Sequence, residues 1–151
     1  MIQNLLNLTK WLHVNDAISA ANNTDDDSAI VDTQGFDGCI FVVPITDSVA
    51  TGVATMTVEQ NSANSGSGMA ALSGAQAQAT SAENDDLNGK LLIVDVYRPR
   101  ERYLRTNLTS ATANIAFGDT IAILYNGVKF PVAQSAAEVA DSAVVASPAE
   151  A

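Results

Sequence analysis

The sequence predicts an all-β protein, an antiparallel β-sandwich in jelly-roll or Greek-key order with a long Gly/Ser/Ala-rich loop and an extended C-terminal tail. Three observations point there. Apolar residues recur at every second position in several short runs, the repeat that sends alternate side chains to opposite faces of a strand. Ala, Thr, Ser, Asn and Val fill much of the chain while aromatics make up 5%, and small and β-branched residues suit short strands better than a helical bundle. No run of strand character is followed by a long amphipathic helix, which a parallel α/β fold would require.

Residues 8–14 and 28–33 read as strands joined by the polar stretch NDAISAANNTDDD. Residues 39–45 are apolar on both faces, the pattern of a central strand, with Asp37-Gly38 before them as a turn signal. Pro44 lacks an N–H, so it is expected to limit how far that ladder runs. Residues 50–60 alternate, with Ala54, Met56 and Val58 on one face and Thr55, Thr57 and Glu59 on the other. Residues 61–87 carry few large side chains and read as a long excursion with one small-residue strand near 75–80. In 90–97, behind the Asn88-Gly89 turn, Leu92, Val94 and Val96 share a face. In 101–109, Leu104 and Leu108 point inward and Tyr103, Arg105 and Asn107 outward. Ala113, Ile115 and Phe117 align in 112–117, and after Gly118-Asp119 so do Ile121, Ile123 and Tyr125 in 120–125. The last four strands are expected to form a continuous meander. After Pro131 the chain turns Ala-rich and acidic, without aromatics. This divides it into a sandwich domain at 1–133 and a tail at 134–151 that is disordered alone or ordered only against a partner.

A chain of 151 residues with 47% hydrophobic content is expected to build one core. Its net charge of -10 and pI near 4.1 argue against nucleic acid, whose phosphates are bound by broad basic faces. No apolar run approaches the ~20 residues that cross a bilayer, and MIQNLLNLTKW lacks the pattern of a signal peptide. The reading is a soluble protein made in a cytoplasm, binding no membrane. Cys39 is the one cysteine; it cannot form an internal disulfide and sits among Ile40, Phe41, Val42 and Val43, where a buried, inert thiol is expected.

Catalytic chemistry has few candidates. His13 is the one histidine, and nucleophilic catalysis needs a base beside its nucleophile, so a half-exposed strand histidine is expected. Zinc needs several Cys or His ligands at short spacing. The run from Asn22 to Asp27 offers oxygen ligands but fails the EF-hand pattern, with Ser28 where Gly and Gln34 where Glu would stand, and reads as a solvated acidic loop. Gly66-Ser67-Gly68 lacks the Lys and helix context of a phosphate cradle. No enzyme activity, cofactor or metal is therefore expected.

The positive charge is unevenly spread. Arg98, Arg100, Arg102 and Arg105 place four of the seven basic residues in one span around Pro99. Two accounts stand side by side. In one, Arg98 or Arg102 pairs with Asp95, Glu101 or Asp119 to pin a corner. In the other the corner docks on a partner, since Arg and Tyr are enriched at interface hot spots.

Residues 91–127 resemble a recurrent segment of small proteins encoded beside the major capsid protein in tailed bacteriophages. The resemblance rests on Asp95-Val96-Tyr97-Arg98-Pro99, Arg102-Tyr103-Leu104-Arg105 and Ala111-Thr112-Ala113-Asn114. It implies a capsid decoration or cement protein that binds the outer surface of the virion and bridges capsomers. Its partners would be the major capsid protein and further copies of itself, as a homo-oligomer (dimer or trimer). The candidate partner-binding residues are Tyr97, Arg98, Arg100, Arg102, Tyr103 and Arg105. Substituting Arg98 or Arg105 is expected to weaken binding more than substituting Lys10 or Lys129. The alternative is a carbohydrate- or receptor-binding module of the virion, which would need exposed aromatics on one face; Trp11, Tyr97, Tyr103 and Tyr125 do not cluster in sequence.

Overall fold

The computed structural model describes residues 4–147 and 149–150. A short helix α1 (Leu5–Leu8), capped by the Asn4 side chain, leads into strands β1 (Thr9–Asn15), β2 (Ile18–Ala21), β3 (Asp25–Asp27), β4 (Val31–Asp32), β5 (Gly38–Ser48) and β6 (Val53–Asn61). Then follow β7 (Ala70–Thr80), β8 (Leu91–Tyr97), β9 (Tyr103–Ala111), β10 (Ile115–Phe117) and β11 (Thr120–Tyr125).

These strands form two antiparallel sheets, one of β1, β2, β5, β8, β10 and β11, the other of β3, β4, β6, β7 and β9. Three pairs of strands are single strands with a break. β10 and β11 both lie along β5, β2 and β1 lie along them in turn, and β3 and β4 both lie along β9. Joining each pair gives eight strands, with the first, eighth, third and sixth side by side in one sheet and the second, seventh, fourth and fifth in the other. That is the jelly-roll order, so the sandwich and its topology class follow the sequence.

The core lies between the two inner faces. Phe41, Val43 and Ile45 of β5, Met56 and Val58 of β6, Leu104 and Leu108 of β9, Ile115, Phe117 and Leu124 are all essentially inaccessible. Leu92, Val94 and Val96 of β8 are buried on alternate positions, as their spacing predicts. Cys39 is fully buried, and burial pushes its thiol pKa far up, which keeps it protonated.

Several expectations are corrected. The last four strands are not a meander: β8 pairs with β5, β9 with β6, and β10 and β11 are two parts of one strand. Local alternation specifies a strand and a turn residue specifies a reversal, but neither tells a hairpin within one sheet from an arch across the core. In β11, Ile121, Ile123 and Tyr125 share one face as their spacing predicts, and it is the outer one, since the buried residues are Thr120, Ala122 and Leu124. The strand runs past Pro44, although its pairing with β8 ends at Pro44 and its pairing with β11 ends at Val42, as the missing N–H predicts. β5 continues to Ser48, and Pro44 sits where the neighbouring strand is itself broken at Gly118, whose N–H donates to the Pro44 carbonyl at 2.8 Å. The polar stretch after β1 holds β2 and β3, and the small-residue strand in 61–87 runs the whole of β7.

Both arches of the resembling segment turn at a non-glycine residue in left-handed conformation: Arg98 (φ 51°) after β8 and Thr112 (φ 71°) after β9. For an arginine and a β-branched residue this is an uncommon backbone state that the surrounding structure must hold. Residues 91–127 thus encode two crossings of the sandwich.

Residues 132–138 lie back on the chain. The Val132 N–H donates to the Asn7 carbonyl at 2.9 Å. The Gln134 amide accepts from Trp11 N at 3.1 Å and donates to the Thr9 carbonyl at 2.7 Å, and Glu138 accepts from His13 N at 3.0 Å. Side chains therefore satisfy the free edge of β1, one way of blocking edge-to-edge pairing.

Candidate functional site

β8 stops at Tyr97 because the next residue turns left-handed, and the Arg98 N–H is held by the Asp37 carbonyl at 2.7 Å. Pro99 then prevents any further ladder bond. The connection to β9 faces the turn between β4 and β5, and an open groove of about 640 Å³ lies between them, lined by residues 33–37 and 98–102. The turn itself is tight, with Gly35 at φ 86° and Phe36 N–H donating to the Thr33 carbonyl at 3.1 Å.

A second groove of about 600 Å³ shares Gln34, Gly35 and Phe36 with the first, and Lys10 and Lys129 line it. Five of the seven basic residues, namely Lys10, Arg98, Arg100, Arg102 and Lys129, therefore gather at one end of the sandwich. The carboxylates there are Asp32, Asp37 and Glu101. Sequence distance hid this: residue 10 enters β1, residue 129 leaves β11, and β1 pairs with β11 so that Thr9 faces Tyr125. Lys10 and Lys129 therefore belong to the same pole as the arginines.

The four arginines divide in two. Arg102 grips Asp32 with two bonds, Nε at 2.8 Å and Nη2 at 2.7 Å. These bonds hold the Asp32 carboxyl below its usual range. Arg105 bonds Glu59 at 2.6 Å and Asp27 at 2.8 Å with only 16% of its side chain exposed, and it does not line the grooves. The partners are not Asp95, Glu101 or Asp119. They come from β4, β6 and β3, strands that the sheet places beside β9. Arg98 and Arg100 are exposed and have no carboxylate partner among the described residues. The guanidinium of Arg98 lies 5.1 Å from the Tyr97 ring centre and that of Arg102 5.1 Å from the Tyr103 ring, within cation–π range. Of the six candidate residues, Tyr97, Arg98, Arg100 and Arg102 meet at the pole, Tyr103 begins β9 behind it, and Arg105 belongs to a sheet face.

The acidic run is not a solvated loop. Asp25–Asp27 is strand β3; Asn107 Nδ2 donates to Asp25 and Asp27, each at 2.8 Å, and Asn15 donates to Asp26 at 2.6 Å. His13 is exposed on β1, with Nε2 3.6 Å from Asp119 and 3.8 Å from Asp16. Among the described residues this trio could converge on a cation, but all three side chains are exposed and loosely spaced. Trp11, Tyr125 and Tyr97, scattered in sequence, share the outer face of the first sheet. The Tyr125 hydroxyl donates to Asp95 at 2.7 Å, and burial together with that carboxylate raises its pKa.

No protein-family model and no curated protein matches the chain. Among solved structures it is similar to the PBSX exported protein XepA, at a TM-score of 0.50 and 15% identity, over 100% of this chain and 44% of that one. The chain spans less than half the length of that structure. It is also similar to an endo-1,4-beta-D-xylanase of Clostridium thermocellum complexed with xylohexaose, at a TM-score of 0.41 and 11% identity over 87% of this chain and 29% of that one. A structure of infectious bursal disease virus gives a TM-score of 0.39 and 11% identity, over 82% and 34%. The likeness to XepA is one of fold, and the two lower scores carry no argument.

Proposed function

We propose that this chain is a structural protein of a phage virion that attaches to the outer surface of the capsid through its cationic pole and cements contacts between capsomers. The observation that carries this reading is the pole itself: a body of net charge -10 collects Lys10, Arg98, Arg100, Arg102 and Lys129 around one pair of grooves. Such a charge distribution orients a molecule toward an acidic surface and raises its encounter rate. Arg98 and Arg100, without a carboxylate partner among the described residues, can donate hydrogen bonds to carboxylates of another protein, and arginine does so in a bidentate way. The resemblance over residues 91–127 supports the phage assignment, and jelly rolls are a fold that viral capsid domains use. Many copies on a symmetric shell make modest contacts sufficient. The role is contact, with no catalytic step.

Co-sedimentation of the purified chain with undecorated phage heads tests this. Arg98→Ala and Arg100→Ala are expected to weaken binding about tenfold each, with a steep dependence on salt. Lys90→Ala, away from the pole, is expected to leave binding unchanged. Equal effects at all three positions, or no binding by the unaltered chain, reject the proposal.

A second reading, a carbohydrate-binding module, gains from Trp11, Tyr125 and Tyr97 sharing one face, because aromatic rings stack on sugar rings. Binding on a glycan array that is lost in Trp11→Ala would favour it over shell attachment.

A further inference from the structure

The outer face of the first sheet, over β1, β11, β5 and β8, is apolar. The register sets Trp11, Ile123 and Ile40 in one row and Ile121, Val42 and Ile93 in the next. Leu91, Ile93 and Tyr97 on the edge strand β8 are each more than half exposed. A shallow depression of about 360 Å³, whose lining joins Trp11, Ile40 and Ile123 to the polar Thr9, Asp95 and Asn126, lies on this face. An exposed apolar edge strand of this kind is a liability unless something covers it.

We propose that this face is a self-association surface, covered in solution by a second copy of this chain. Charge directs any contact between two copies to this face. Two bodies of net charge -10 repel each other and can meet only where charge is sparse. On these rows the outward ionisable side chains are Asp95 and His13, and Asp95 already takes the Tyr125 hydroxyl. Size fits as well. Four strands about 4.8 Å apart, each with about six residues rising about 3.3 Å, cover on the order of 400 Å² in plan. That is the scale at which a patch marks an interaction site. A sugar would need several free hydrogen-bonding groups, and this face keeps few. A shared patch that meets itself gives a closed pair related by a two-fold axis. The pole lies at the end of the sandwich, so pairing through the sheet face leaves its grooves open.

Sedimentation of the full chain over a range of concentrations decides the matter. The unaltered chain is expected to dimerise with a micromolar or tighter constant. Ile93→Lys and, independently, Leu91→Lys are each expected to weaken the dimer about 30-fold or more. Thr57→Lys on the opposite sheet is expected to change nothing. Both positions in β8 are exposed in the monomer, so a retained cooperative thermal transition at low concentration confirms that the variants fold. A chain that stays monomeric at about 100 µM overturns the proposal. So do lysine variants that dimerise as tightly as the unaltered chain, or a monomer whose shell binding is lost in Ile93→Lys, which would give the face to the capsid.

Discussion

The outer faces of the two sheets are built from the same kind of strand and yet differ in chemistry. Across the second sheet the rows read Gln78, Thr55, Thr109, Asp25 and then Gln76, Thr57, Asn107, Asp27, with the Arg105–Glu59 pair beside them. Across the first they read Trp11, Ile123, Ile40, Asp95 and then His13, Ile121, Val42, Ile93. A sandwich needs one apolar face per sheet to close its core, and β6 and β9 supply that and no more. β5 and β11 supply it twice. The second layer of apolar residues contributes nothing to the core of one molecule, which is why contact with another surface is its natural use.

Removing a polar anchor should hurt the second sheet most. Arg105→Ala leaves Glu59 and Asp27 facing each other without their cation, and since Arg105 and Glu59 are mostly buried the expected loss is about 2 kcal/mol of stability, read from a urea midpoint. Shell binding should be unaffected. An unchanged midpoint would place this pair among ordinary surface ion pairs and erase the contrast between the faces.

The first sheet is sharpened at Gly38, where the Tyr125 ring lies across the backbone. A Cβ there would collide with that ring and stand 2.8 Å from the Val96 carbonyl. Gly38→Ala should cost about 1–2 kcal/mol by displacing Tyr125 from Asp95, and the tyrosine should then titrate nearer its ordinary value of 10.0. A variant as stable as the parent, with Tyr125 unmoved, would mean the ring is not held by this contact.

Inside the second sheet, Thr106 is fully buried and its hydroxyl oxygen has no hydrogen-bond partner among the described residues. Thr106→Val keeps the shape and removes the orphan, so thermal unfolding should shift upward by up to about 1 kcal/mol. A drop would show that the hydroxyl is satisfied after all.

The smallest effect is with acid. Asp32, held by Arg102, and Asp86, held by Ser81 and the Ala82 N–H, have carboxyl pKa values below the ordinary 3.8. The unfolded chain therefore binds protons first as pH falls, so their contribution is complete above about 3.8 and declines below it. Arg102→Ala should remove only the Asp32 part, a slight change because both side chains are near half exposed. An acid limb identical in the variant would deny that Arg102 depresses Asp32.

The alternation in β6, β8 and β9 made the inner faces legible from sequence, because period two maps directly onto one buried side. The doubled apolar pattern of 39–45 marked a central strand for the same reason. What stayed hidden depends on which strands become neighbours. Asp32 reaches Arg102 across 70 positions and Glu59 reaches Arg105 across 46. Lys10 and Lys129 join the arginines only because β1 and β11 pair. The cluster of arginines was visible, but its division into Arg98 and Arg100 on one side and the tied Arg102 and Arg105 on the other was not. Ile121, Ile123 and Tyr125 were read as one face correctly, yet which side of the sheet they took depended on a one-residue choice of parity that local pattern does not supply.

The claim on which the rest turns is that the cationic pole is the attachment point. Electron cryo-microscopy of phage heads with and without this chain, at side-chain resolution, tests it most directly. The expected result is added density whose Arg98–Arg102 connection and Gln34–Phe36 turn face acidic residues of the shell. Density that points this end of the sandwich at solvent, or heads that gain no density at all, would contradict it.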